Sequence, residues 1–163
     1  MGPVEKKLID RIFRAFEGVT LEDGISLNMT EYLDGYESEP EYLRKAEFDE
    51  RDDWTAIPGE TLEMFTGTFS FTDLKGFRFY LPAYMSASLR DFTLDISDHT
   101  LFSLDPEHFT FERIGLINVF TDEQLKCITE FLKYAAENVL GSFGECAGEN
   151  LKKIQKSLKA RTN

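Results

Sequence analysis

Few of the side chains used for metal, redox or nucleophilic chemistry are present: 163 residues hold two cysteines and two histidines. Cys127 and Cys146 are too few for a disulfide-stapled scaffold, and two free thiols in a reducing compartment are expected. Apolar runs are short. None approaches the roughly 20 residues of a membrane-spanning helix. The start, Met1-Gly2-Pro3-Val4-Glu5, lacks a signal-peptide core and the Ser/Thr of a myristoylation motif, so the cytoplasm is the expected location. Positive charge is also scarce. Lys and Arg number 18 against 30 Asp and Glu, for a net charge of −12. Such a chain repels phosphate backbones, which argues against direct nucleic-acid binding, and it attracts a basic protein partner. No internal repeat and no Pro-, Ser- or Gly-rich linker divides the sequence. Residues 1–163 therefore read as one domain.

What is abundant is apolar and aromatic: 42% hydrophobic residues, with 15 Phe and six Tyr, predict a core built largely of rings. Val4, Leu8, Ile12 and Phe16, with Ile9 and Phe13 beside them, predict a helix from Pro3 to about Glu17, ended at Gly18. Asn28 and Glu31 have capping-box spacing ahead of Met29, Tyr32, Leu33 and Tyr36, and a further helix is expected to start near Glu39. Asp49–Asp53, Asp-Glu-Arg-Asp-Asp, reads as solvated surface. One or two helical turns are expected over Glu60–Phe65.

The clearest signal begins at Thr121. Thr121 and Gln124 form a capping box, Phe120 and Leu125 a hydrophobic staple, and Asp122 and Glu123 suit the positive helix end. Leu125, Ile128, Leu132, Ala135 and Val139 make the apolar stripe, broadened by Phe131. Burying one such leucine contributes about 1.5–3 kcal/mol, more than the cap. A last helix over Glu149–Ala160 carries the narrow seam Leu151, Ile154 and Leu158. From Asn150 onward there are five basic and no acidic side chains, so against the overall −12 the preceding residues carry −17. The basic helix 149–161 is expected to dock on the acidic body.

The centre is ambiguous. Phe69 and Phe71 alternate, as do Phe77, Phe79 and Leu81, with Gly76 between. This predicts a β-hairpin or short-strand element near residues 69–81; the rival reading is a helical turn around Thr72–Tyr80. Pro82 is expected to hold Leu81 extended and to open a helix ending near Arg90. Phe109–Phe120 reads as one short buried strand or an irregular core segment. The fold class is thus mainly α, a compact helical domain with a small β element.

Chemistry is thin. His99 and His108 lie near Asp95, Asp98, Asp105 and Glu107, which in principle suits a metal, but the spacing is no recognised ligand pattern. Cys127 adjoins Ile128 in a packed helix, and Glu145 and Glu149 would raise the Cys146 thiol rather than activate it. Ser86 and Ser88 lack a nucleophile elbow, and Gly141, Gly144 and Gly148 lack a phosphate-binding pattern. No catalytic, cofactor-binding or metal residue is assigned, and no cofactor is expected. The candidate interface or ligand contacts are Trp54, Arg78, Tyr80 and Tyr84. Arg78 either stacks and pairs locally or binds an anion.

Three elements carry a resemblance: Trp54 with Ile57-Pro58; Gly-Phe-Arg-Phe-Tyr-Leu-Pro-Ala-Tyr-Met at Gly76–Met85; and Phe120-Thr-Asp-Glu-Gln-Leu125. Over about positions 4–140 the chain resembles an uncharacterised group of small bacterial proteins, domain-of-unknown-function family 6714. The lysine-rich end from Lys152 lies beyond that pattern. The resemblance implies a one-domain bacterial protein and no known reaction, cofactor or ligand. Three functional expectations stand. The first is a non-enzymatic protein-interaction domain, immunity-like or inhibitory toward a basic partner. The second is a small metal-assisted hydrolase using His99 and His108 with nearby carboxylates. The third is a small-molecule sensor with an aromatic pocket. Oligomeric state is left open.

Overall fold

The computed structural model describes residues 1–35 and 40–162. Nine α-helices follow one another among the described residues: α1 (Pro3–Ala15), α2 (Leu27–Asp34), α3 (Pro40–Ala46), α4 (Gly59–Met64), α5 (Thr68–Phe71), α6 (Leu74–Arg90), α7 (Asp95–Ser103), α8 (Asp122–Asn138) and α9 (Ser142–Thr162). Short 3-10 turns occur at Trp54–Ala56, Phe109–Phe111 and Leu116–Asn118. The segment 109–120 is therefore irregular and not a strand.

The β-hairpin expected near residues 69–81 is absent: no strand occurs among the described residues. Thr68–Phe71 is one helical turn, and α6 runs unbroken from Leu74 through Pro82 to Arg90. Leu81 is helical rather than extended. The start is set by Asp73, whose Oδ1 accepts from the Gly76 amide at 2.8 Å and the Ile25 amide at 3.2 Å. Every residue from Phe79 to Leu89 is buried. Bulky rings at alternate positions therefore faced different parts of one core, not one side of a sheet. Packing on all sides carries the helix past Pro82, whose missing N–H leaves the Arg78 carbonyl without its i+4 partner. Close approach decides Gly76: a Cβ there would stand 1.8 Å from Thr72 Oγ1 and 2.8 Å from the Ile25 carbonyl oxygen.

The other helices surround α6. α1 packs on α6 and α8 through Ile9 and Ile12, α7 packs on α6, and α9 packs along α8 and α7. Phe77 meets Phe69, Phe111 and Phe120 at ring-centroid distances of 4.5, 4.9 and 6.4 Å, which joins α5, α6 and the segment before α8. α2 starts at Leu27 and not from an Asn28–Glu31 box. Asp49 accepts from the Asn28 amide at 2.8 Å and from its side chain at 2.6 Å. Tyr36 and the helix start expected near Glu39 lie outside the described residues.

The capping box of α8 is present, with Gln124 N donating to Thr121 Oγ1 and Thr121 N donating to Gln124 Oε1. Gly141, at φ +75°, turns the chain into α9, and a Cβ at Gly144 would stand 2.0 Å from the Val139 carbonyl oxygen. α9 thus begins at Ser142, seven residues before the expected Glu149. Its Asn150 donates to the Leu101 carbonyl at 3.0 Å, Lys153 pairs with Asp105 and Glu107, and Arg161 pairs with Asp122. No helix among the described residues is long and apolar enough to cross a membrane.

Candidate functional site

Two of the four candidate contacts, Tyr80 and Tyr84, are buried and hydrogen-bonded within the core. Tyr80 is fully buried, its hydroxyl accepting from the Leu27 amide at 3.2 Å. Tyr84 is buried too, donating to the Phe65 carbonyl at 2.6 Å and sharing a 2.9 Å bond with Thr68. Burial pushes both phenols far up from their usual range, so both stay neutral. Arg78 is half-buried, makes no ion pair with a described residue and leaves Nε without a hydrogen-bond partner. These aromatics are part of the buried core at the centre of the fold.

Trp54 differs. Asp53 accepts from the amide and hydroxyl of Thr55 at 2.9 and 2.6 Å and so opens the 3-10 turn. The indole N–H donates at 2.9 Å to the carbonyl of Phe16, just beyond α1; that carbonyl also accepts from the Val19 amide at 3.2 Å. Phe13 meets the indole edge-on at 4.8 Å and is 39% exposed. The fixed ring separates two clefts, and Phe13, Trp54 and Thr55 line both.

The first cleft, about 350 Å³, lies toward the end of α1 and is edged by Glu17, Asp52 and Asp53, with Arg14 beside them. Glu17, Asp52 and Arg14 make no side-chain hydrogen bond or ion pair with any described residue. The second, about 310 Å³, lies between Trp54, α4 and α6. Ile57 and Leu62 wall it, Ala83 and Ala87 line it on α6, and Thr55, Ser86 and Arg90 are its polar residues. Ser86 is 2% exposed and its Oγ has no partner, whereas Ser88 two residues on donates to the Tyr84 carbonyl at 2.9 Å. Arg90 is exposed and likewise pairs with no described residue.

The histidines stand in different settings. His99 is exposed on α7. His108 packs its ring 4.3 Å from that of Phe109 and accepts from the Thr110 amide at 3.4 Å, and burial lowers its pKa from the usual value. Among the described residues no group of three or more His, Cys, Asp or Glu is placed to hold a metal. Both cysteines are free, and burial raises both thiols; Asp105 and Glu149 add to the rise at Cys146, while Glu145 is not among the causes.

Sequence reasoning named Trp54 but read Phe13, Ser86 and Arg90 only as helix residues. The available signal was the helical spacing of Ala83, Ser86, Ala87 and Arg90, a small-residue stripe ending in a cation. Comparison with known proteins gives one family match, to a model described as a family of unknown function (DUF6714), across residues 4–146. No curated protein and no solved structure matches.

Proposed function

The chain belongs to the family of unknown function DUF6714, and we propose that it is a non-enzymatic interaction domain that docks a basic protein segment beside Trp54. The observation that supports this reading is the first cleft. It pairs an aromatic floor, Phe13 and Trp54, with the unpaired carboxylates Glu17 and Asp52 at its edge. An apolar residue flanked by Lys or Arg is the complement: the ring surface takes the apolar side chain, and the carboxylates take the charges. The net charge of −12 would steer such a partner from a distance in a salt-dependent way. An inhibitory or immunity-like role toward a basic protein fits this chemistry. The reading takes residues 1–163 as one domain with 149–161 laid on its acidic body, in a bacterial cytoplasm, where the two free thiols stay reduced.

The test is site-specific photo-crosslinking from Thr55, which lies on both clefts, with Lys133 on the exposed side of α8 as the control position. The expected product is a basic protein captured from Thr55 and not from Lys133, lost at high salt and lost in Glu17→Lys/Asp52→Lys. Equal capture from both positions, or capture indifferent to salt and to the charge reversal, sinks the reading.

A further inference from the structure

We propose that the second cleft, between Trp54 and α6, binds a small organic carboxylate with an apolar body. This goes beyond the protein-docking reading: the occupant is a small molecule, and its polar contacts lie outside the acidic cleft. The cleft has the build of such a site, with apolar walls and few polar groups. Phe13, Trp54, Ile57 and Leu62 offer ring and aliphatic surface, and Ala83 and Ala87 keep α6 low beneath it. Its volume of about 310 Å³ equals that of about ten waters, which suits a compact ligand.

Two groups on α6 set the polar chemistry. Ser86 is buried with a hydroxyl that bonds to nothing among the described residues, although a helical serine can turn back to the carbonyl four residues earlier, as Ser88 does. A buried hydroxyl left unsatisfied is costly; as it stands the Oγ is shielded from the cleft, and a rotation about χ1 would bring it to a ligand oxygen there. Arg90 lies one helical turn further along, exposed and without a carboxylate partner among the described residues. A guanidinium beside an apolar wall selects a planar carboxylate over a neutral head group. The ligand therefore lies with its apolar body against Trp54, its carboxylate at Arg90 and one oxygen within reach of Ser86.

Trp54 is the sole tryptophan, so its fluorescence reports on the cleft wall directly. The full chain is titrated with phenylacetate, with phenylacetamide, which keeps the body and loses the charge, and with acetate, which keeps the charge and loses the body. Phenylacetate is expected to give a saturable change. Phenylacetamide and acetate are expected to bind more weakly by about tenfold or more. Arg90→Gln should weaken phenylacetate binding about ten- to a hundredfold, and Ser86→Ala about three- to tenfold, both with unchanged circular dichroism. No saturable response of the folded chain, equal binding of the amide, or parental affinity in either variant overturns the proposal. These outcomes leave the crosslinking result untouched, because that test reads capture of a protein and its loss on charge reversal at Glu17 and Asp52, neither of which lines the second cleft. The two readings therefore fail separately.

Discussion

α6 and α8 are both 17 residues long, yet only α8 is legible over its whole length before the structure is seen; of α6 the sequence shows a helix only from Pro82 to Arg90. α8 lies between two environments. Ile128, Phe131, Leu132 and Ala135 face the core, while Lys126, Lys133 and Glu137 face water, and that contrast writes the 3.6-residue period into the sequence. α6 has one environment. From Phe79 to Leu89 every residue is buried, so nothing requires a polar residue at any particular phase. Its rings at 77 and 79, followed by Leu81, then imitate a strand. A helix becomes readable through what it leaves exposed, and α6 leaves almost nothing.

The largest effects test that contrast directly. Phe79, Tyr80 and Leu81 point in directions about 100° apart around α6. Lysine at any one of them should cost more than about 4 kcal/mol in chemical denaturation, because each direction buries an unpaired charge. In α8 the same loss is expected at Leu132, while Lys133→Glu should stay within about 0.5 kcal/mol. One tolerant direction on α6 would break the comparison. Next is Gly76→Ala, expected to cost about 1–3 kcal/mol, because the added methyl meets the Ile25 backbone as well as Thr72. Thr72→Ala in the same chain should recover only part of it.

The caps come third. Asp73→Ala should cost about 2 kcal/mol and Thr121→Ala about 1, since Asp73 serves the Ile25 amide in addition to its own helix. Equal costs would mean that the Asp73–Ile25 contact contributes nothing. The smallest effect has the opposite sign. Gly148→Ala in α9 meets nothing closer than the Ala136 Cβ at 3.7 Å and should raise stability by up to about 1 kcal/mol, seen as a higher denaturation midpoint.

The same division runs through the loops and the site. Asp49–Asp53 reads as solvated surface because it is a dense run of charge. In the structure Asp49 caps α2, and Glu50 accepts from the amides of Arg51, Asp52 and Asp53 at 3.0, 2.9 and 3.0 Å. Asp53 opens the Trp54 turn, and Asp52 alone of the four acids has a free carboxylate. Cap recipients such as Asn28 lie some twenty residues away in sequence, beyond the reach of local motif reading. Trp54 stood out for its size and rarity. Its neighbours across the clefts did not, because Phe13 and Ser86 are ordinary helix residues until α1 and α6 are set side by side.

By itself the sequence determined the helical class, the capping box that starts α8, the turn from α1 at Gly18, the family and the acidic balance. Each of these is carried by residues within a few positions of one another, or by composition alone. Only the tertiary structure decided that residues 69–81 are helical, that α6 is the central element, and that Trp54 walls two clefts. Those outcomes depend on which distant surfaces meet. Burial on every side removes the polar positions from which a local period could be read.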